Sequence, residues 1–366
     1  MTAQPTHKSA PPLICALQAD PACYNHAVDK VQLIETHISW VLLTGEFAYK
    51  IKKPVNLGFL DFSTLPSRQQ ACDEEVRLNR RLAAEFYLGV VAISGSPEAP
   101  RIGSLYGGEQ RDAFEYAVKM RQFPPDATLD RLSERGELGT AQIDLLAARL
   151  ARFHLGECTI APADSPWGEP EAIAQPVADN FEILAKHLCD REHHQQLARL
   201  QSWSDAEYQL LAPLMRERKR YGMVRECHGD LHLGNLAWAG GQLIIFDCIE
   251  FSPALRWIDV ISEVAFCYMD LIHRQHRDLA FRFLNAWLEA SGDYRGMALL
   301  RYYAVYRAMV RAKVAALRAA QSAGDYAEVS ECLQLAEQLA KAAPPQLWIT
   351  HGLSGCGKTT LSQSVL

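Results

Sequence analysis

Residues 226–235 read Glu-Cys-His-Gly-Asp-Leu-His-Leu-Gly-Asn, ECHGDLHLGN, and the reading of this stretch decides the fold. His228, Asp230, His232 and Asn235 crowd together, punctuated by Gly229 and Gly234. A metal cluster, a catalytic loop and a polar turn between core elements all compete for it. Histidines four apart bind zinc from one face of a helix, but the two glycines argue for a loop. So does the hairpin pattern behind them, Leu236–Trp238, the turn Ala239-Gly240-Gly241-Gln242 and Leu243–Asp247. No third metal ligand stands nearby apart from Asp247.

The catalytic-loop reading explains positions beyond the cluster. Transfer of a γ-phosphoryl group needs a carboxylate at the attacking hydroxyl, and an amide and a carboxylate on the magnesium ions. It also needs a lysine on the nucleotide phosphates and a carboxylate that orients the lysine. Protein kinases place the first three in H-R-D-x-x-x-x-N and in an aspartate that closes the next strand. His228-Gly229-Asp230, four residues and Asn235 keep that spacing, and the hairpin ends at Asp247.

HGDLHLGN followed by IFDCIEF closely resembles the aminoglycoside phosphotransferase family of kinase-like folds, where His-Gly-Asp replaces His-Arg-Asp. The resemblance spans about residues 35–275. It implies an α+β, two-lobed protein-kinase-like fold with a small β-rich N-terminal lobe and a large helical C-terminal lobe. It also implies ATP and Mg2+ as cofactors, Asp230 as catalytic base, and Asn235 and Asp247 as magnesium ligands. Asp-Phe-Gly is absent, since Cys248-Ile249-Glu250 follows Asp247; Glu250 is left as an auxiliary ligand or a structural carboxylate. His228 is given a supporting role and His232 no chemical role. Asp259 matches the aspartate that braces the catalytic loop in this family, and equally suits the first turn of a helix.

The phosphate lysine should lie on a strand. Ile38–Leu43, the turn Thr44-Gly45-Glu46 and Phe47–Val55 form a hairpin pattern, and strand periodicity puts Lys50 and Lys52 on one face. Lys50 is the first choice and Lys52 the second; a solvated basic edge is the plain alternative. In the helix expected from about Pro66 to Phe86, Cys72, Glu75, Val76, Asn79, Leu82, Ala83 and Phe86 share one face. A carboxylate there needs a cation, so Glu75 rather than Glu74 is assigned to Lys50. No Gly-rich loop is present, and the Thr44-Gly45-Glu46 turn is the candidate phosphate cover. Glu115–Phe123 would join the lobes.

Elsewhere, strands are expected around Val90–Ile93 and over Glu115–Phe123. Helices are expected over Leu145–His154, Pro176–Leu188, Asp205–Tyr221 and, broken near Gly292-Asp293, Trp257 to about Lys341. After Pro344-Pro345, Leu347–Thr350 reads as a strand leading into GLSGCGKTT. Gly352, Gly355, Gly357, Lys358 and Thr359 complete G-x-x-x-x-G-K-[ST], whose backbone amides and lysine hold phosphates and whose hydroxyl binds Mg2+. With YKIKKPVNLGFLDFSTL and CDEEVRLNRRLAAEFYLGV, this resembles bacterial proteins that fuse such a kinase-like domain to a C-terminal P-loop AAA-type ATPase or kinase domain. The implied domains are a lead-in at 1–30, the kinase-like domain at 31–343 (lobes about 31–123 and 124–343), and the start of a P-loop domain at 346–366, truncated and inert alone.

Composition sets the outer bounds. A formal charge of -6 over 366 residues argues against a nucleic-acid binder. The ten cysteines are scattered with no C-x-x-C pair, which suits a reducing, cytoplasmic setting. No apolar run nears the length of a membrane span. The reading that results is an ATP-dependent phosphotransferase acting on a hydroxyl of a small molecule. The alternative is a nucleotide-holding regulatory module for a P-loop domain in cis. Asp126, Asp130, Glu263 and Asp270 are candidate cation-binding carboxylates for an acceptor, each with an ordinary surface reading.

Overall fold

Short alternating runs in the first third of the chain make strands, and one amphipathic stretch among them makes a helix. The computed structural model describes residues 10–58, 60–105, 112–188, 190–322, 326–341 and 349–365. Two compact units result: Met1–Thr128 with Asn235–Arg256, and Leu129–Gly234 with Trp257–Leu366. The lead-in carries α1 (Pro12–Ala19), followed by β1 (Gln32–Glu35), β2 (Ser39–Leu43), β3 (Phe47–Lys52), α2 (Leu65–Ala83), β4 (Tyr87–Ser96), β5 (Ala99–Leu105) and β6 (Glu115–Arg121). The six strands form one antiparallel sheet in the order β1-β2-β3-β6-β4-β5.

Beyond it come α3 (Leu129–Glu134), α4 (Thr140–Arg152), α5 (Pro170–His187), α6 (Arg191–Arg220), β7 (Val224–Glu226), the hairpin β8 (Leu236–Ala239) and β9 (Gln242–Ile245), and α7 (Pro253–Arg256). The remaining elements are β10 (Trp257–Asp259), α8 (Val260–His273), α9 (Arg277–Ser291), α10 (Met297–Ser322), α11 (Ala327–Ala340) and α12 (Lys358–Val365). Glu115–Arg121 is the strand expected there, and it lies inside the sheet, between β3 and β4. Several other elements differ from the sequence expectation. Helix α5 starts at Pro170, a first-turn position where proline's missing N–H costs nothing, and runs through Pro176. Trp257–Asp259 is not helical but pairs antiparallel with β7. The β8–β9 hairpin groups with the first unit, not with the helical region that surrounds it in sequence. Its Ala237 and Ile244 are buried in one core with Cys72, Val76 and Val118. Leu347 and Trp348 of the expected last strand lie outside the described residues, and Ile349 and Thr350 are not in a strand.

The sheet separates two environments. Tyr49 and Ile51 of β3 enter a core with Leu13, Ile14 and Leu17 of α1, while the alternate residues Lys50 and Lys52 reach Glu75 of α2. Helix α2 is started by Thr64, whose Oγ1 accepts the Ser67 N–H at 3.2 Å. Thr64→Ala should therefore cost about 1 kcal/mol of stability, measured by chemical denaturation. In the second unit Arg218, at the end of α6, forks between Asp259 (2.7 and 2.9 Å) and Asp293 (2.7 and 2.6 Å).

Candidate active site

In the first unit the sheet and α2 assemble a buried ion network. Lys50 Nζ lies 2.9 Å from Glu75 Oε1 and also contacts Asp247. Lys52 joins the other Glu75 oxygen to Glu250. Lys52 and Glu75 are 0% exposed, so the second-choice lysine is the deeper of the two, and both belong to one cluster. Burial alone would drive the lysines neutral, but the carboxylates around them prevail and push both upward from 10.5. Burial raises Glu250, held down only in part by the lysines; it is a structural partner of Lys52. Glu74 points elsewhere, to Arg77 and Arg256.

Asp247 closes the hairpin in an unusual posture. Its φ is +67°, a left-handed conformation that costs a non-glycine residue about 1–3 kcal/mol and clusters at functional sites. Two bonds fix it there: the Asp247 N–H donates to Tyr87 Oη (3.1 Å) and the Cys248 N–H to Asn79 Oδ1 (3.0 Å). Its carboxylate is 43% exposed. Asn235 is buried and its carbonyl accepts the Phe246 N–H at 3.0 Å. A half-open carboxylate and a side-chain amide are the hard oxygen donors that Mg2+ takes, so these two residues fit the ion. In the N-terminal hairpin turn, the Gly45 N–H donates to Gln122 Oε1 at 2.9 Å.

In the second unit the loop after β7 is held by its backbone. Glu263 of α8 accepts the N–H groups of His228 (2.6 Å) and Gly229 (2.8 Å) on one oxygen. Arg307 of α10 donates to the Gly229 carbonyl at 3.1 Å and to the Ser262 hydroxyl at 3.2 Å. Asp270 accepts the Leu233 N–H at 2.9 Å. Gly229 has φ +91°, which lets the chain turn between these anchors. The carboxylate that braces the loop is thus Glu263, one helical turn beyond Asp259, which instead caps α8 and pairs with Arg218. Glu263 and Asp270 are fully buried, which corrects their surface reading.

Asp230 projects from this frame with a side chain 37% exposed. His228 is buried and its Nδ1 accepts the Asp230 N–H at 3.3 Å, in keeping with a supporting role. His232 does more than its sequence suggests: Nε2 stands 3.5 Å from Asp230 Oδ2, while Nδ1 accepts the Gly234 N–H at 3.1 Å. While the ring is neutral, the second bond keeps its proton on Nε2, facing the carboxylate. A Cβ on Gly234 would come within 2.9 Å of that ring, so the close approach requires glycine. Burial pushes the Asp230 carboxyl upward, but His232, His228 and Arg307 outweigh it and hold it well below its ordinary 3.8. Burial works against His232's charge too, yet Asp230 raises its imidazole above 6.5. Asp230 thus contributes stability that is lost as pH falls through its lowered pKa, and His232 stability that is lost as pH rises through its raised one. Both contributions are fully present between about pH 4 and 6.5.

The stretch from Gly352 to Thr359 is a turn leading into a helix. Gly352, Gly355 and Gly357 have positive φ, Lys358 Nζ donates to the carbonyls of Gly352 (2.9 Å) and Leu353 (2.7 Å), and α12 begins at Lys358 with Thr359 exposed in its first turn. Of the remaining candidates, Asp130 lies 4.0 Å from Arg274, which also pairs with Asp270. Sequence reasoning missed Arg307, Tyr87 and the bracing role of Glu263. For Glu263 the available signal was a charged residue within the apolar run VISEVAF. No helix among the described residues is long and apolar enough to cross a membrane.

Similarity to known proteins agrees with this frame. No family model matches the chain. Among solved structures, a choline/ethanolamine kinase family protein from Mesorhizobium loti is 11% identical with a TM-score of 0.53, covering 90% of this chain and 93% of that one. The amicoumacin kinase hAmiN, solved with AMP-PNP, Ca2+ and Ami, is 13% identical with a TM-score of 0.53 over 89% of this chain and 92% of that one. A thermostable mutant of aminoglycoside phosphotransferase APH(4)-Ia is 10% identical with a TM-score of 0.52 over 86% of this chain and 94% of that one. At such identities the likeness is one of fold, and the fold is kinase-like. The uncharacterized protein Rv2004c of Mycobacterium tuberculosis and Mb2027c of Mycobacterium bovis are each 32% identical over 350 residues, 94% of this chain and 68% of theirs. The chain belongs to the family of these mycobacterial proteins.

Proposed function

We propose that the chain is an ATP-dependent phosphotransferase that passes the γ-phosphoryl group to a hydroxyl of a small molecule. The observation that carries this reading is Lys50, held at once by Glu75 and Asp247. A strand lysine oriented by a helix glutamate, next to a magnesium aspartate, is the arrangement kinase-like phosphotransfer requires. Lys50 aligns the phosphates, with Glu75 as its anchor and Lys52 and Glu250 as the buried support of Glu75. Asn235 and Asp247 would hold Mg2+, which supplies charge neutralisation across the phosphates. Asp230 orients the attacking hydroxyl and takes its proton.

The kinase neighbours act, by their names, on choline, ethanolamine, an aminoglycoside and amicoumacin, so hydroxylated amines head the acceptor panel. The experiment is ADP formation from magnesium-ATP across that panel, with transfer expected for at least one acceptor; none with any member contradicts the reading. His232→Gln should move the acid limb of kcat/KM to higher pH. The substitution removes the neighbour that lowers the Asp230 pKa, so the carboxylate protonates sooner as pH falls; a pH–rate profile checks the shift.

A second reading rests on the G-x-x-x-x-G-K-[ST] pattern, whose Gly352, Gly355 and Gly357 have positive φ and whose Lys358 opens a helix. In it, the kinase-like region holds nucleotide and governs a C-terminal P-loop domain in cis, where Gly352, Gly355, Gly357 and Lys358 would bind phosphates and Thr359 Mg2+. ATP binding without transfer to any acceptor favours this second reading.

A further inference from the structure

The N-terminal half of α2 faces the segment that follows Asp247 across an open cleft of about 700 Å³, all of it within the first unit. Arg256 of α7 ties the two walls together, donating to the Glu250 carbonyl at 3.1 Å and to Glu74 Oε1 at 2.7 Å. Phe62 and Phe251, which pack in one small apolar core with Ala71, line the cleft with Pro66 and Pro253. Its charged groups are unevenly matched. Both guanidiniums, Arg77 and Arg256, bond Glu74. Asp73 has no ion pair among the described residues, and burial alone pushes its carboxyl upward. Glu250 lines the cleft with a side chain 3% exposed. Its Oε1 is held by Lys52, and no hydrogen bond among the described residues reaches its Oε2. A buried carboxylate oxygen without a donor is costly, and the upward push of burial on Glu250, offset only in part by Lys52, reflects that cost.

We propose that this cleft is a binding site for a small organic ammonium ion, whose N–H groups bond Glu250 Oε2 and Asp73 and whose carbon skeleton lies on Phe62 and Phe251. The lining selects that chemistry. A divalent metal ion asks for about six oxygen ligands, whereas two under-compensated carboxylates stand here among aromatic and proline rings. An anion would meet guanidiniums already committed to Glu74. An ammonium gains charge-assisted hydrogen bonds and aromatic faces together. The cleft lies outside the arrangement assigned to phosphotransfer, but one shared ion links the two. Lys52 bridges Glu250 and Glu75, and Glu75 also holds Lys50. An ammonium that takes a share of Glu250 leaves Lys52 more fully to Glu75, and Lys50 freer to meet phosphates. Amine and nucleotide should therefore each tighten the other's binding by the same factor. This coupling rests on the phosphotransfer reading; the binding site does not.

The test is isothermal titration calorimetry of the full chain with putrescine, and with the corresponding diol, which has the same carbon skeleton and no charge. Putrescine should bind at one site and the diol should not. Asp73 is exposed on α2, so its variants should fold. Asp73→Asn should weaken putrescine by about 10-fold, and Asp73→Lys, which tethers an ammonium at the cleft, should abolish its binding. Asp230→Ala should bind putrescine as the wild type does. No putrescine binding, equal binding of the diol, or an Asp73→Asn affinity equal to the wild type overturns the site. Putrescine binding that is lost in Asp230→Ala and kept in Asp73→Asn belongs to the acceptor position and overturns it too. Saturating putrescine should lower the Kd of magnesium-AMP-PNP by about 5-fold. A Kd unmoved by putrescine overturns the coupling and leaves the phosphotransfer reading standing. Absence of nucleotide binding with or without the amine overturns that reading, while putrescine binding that responds to Asp73 as stated upholds the cleft.

Discussion

An Asp230→Ala variant is expected to lose phosphotransfer by about 1,000-fold while ATP still raises its melting temperature as it does in the wild type. The loop does not depend on the Asp230 side chain for its shape. Its backbone is pinned by Glu263, Arg307 and Asp270, so truncation at Asp230 removes chemistry and spares the frame. The carboxyl is held well below its ordinary pKa, with burial outweighed by His232, and such a carboxylate is a weak base. It suits a loose transition state, in which the hydroxyl is first aligned and its proton is surrendered late. Asp230→Asn keeps the size and one hydrogen-bonding oxygen, so its residual rate separates alignment from proton acceptance.

The two lysines of β3 should part company when each is replaced by methionine. Lys52 is enclosed between Glu75 and Glu250, all with side chains at most 3% exposed. Lys52→Met leaves buried carboxylate charge short of its partner and should cost about 3–5 kcal/mol of stability, measured by chemical denaturation. Lys50→Met should cost less, because Glu75 keeps Lys52 and Asp247 is 43% open to water. Its penalty falls on catalysis, by about 100- to 1,000-fold in kcat. The pH dependence has a definite sign. Both lysines are raised above 10.5, burial being outweighed by the carboxylates. Their stabilisation is therefore complete below that value and is lost as pH rises through the folded pKa.

How much of this was legible beforehand depended on the kind of signal. Glu75 could be found because an acid on the apolar face of α2 demands a cation, and strand alternation offered Lys50 and Lys52. The same rule asks a polar partner for Asn79 on that face, and the Cys248 amide supplies one. Asp230, Asn235 and Asp247 were visible as spacing within one short stretch. Glu263 and Arg307 were not, because their meaning lies in contacts across 34 to 78 residues of sequence. Placement of the β8–β9 hairpin failed for a related reason. Its surroundings in sequence are helical, while its burial partners, Cys72, Val76 and Val118, come from far earlier in the chain. Strands β7 and β10 are only three residues each, too short for alternation to register.

The central claim is that Asp230 serves transfer of a phosphoryl group from ATP to a hydroxyl. It is tested most directly by mass spectrometry of the acceptor panel after incubation with magnesium-ATP and either wild-type or Asp230→Ala protein. The account predicts a phosphorylated acceptor with the wild type and none with the variant. A product that forms equally with both, or ATP binding with no product from any acceptor, would contradict it.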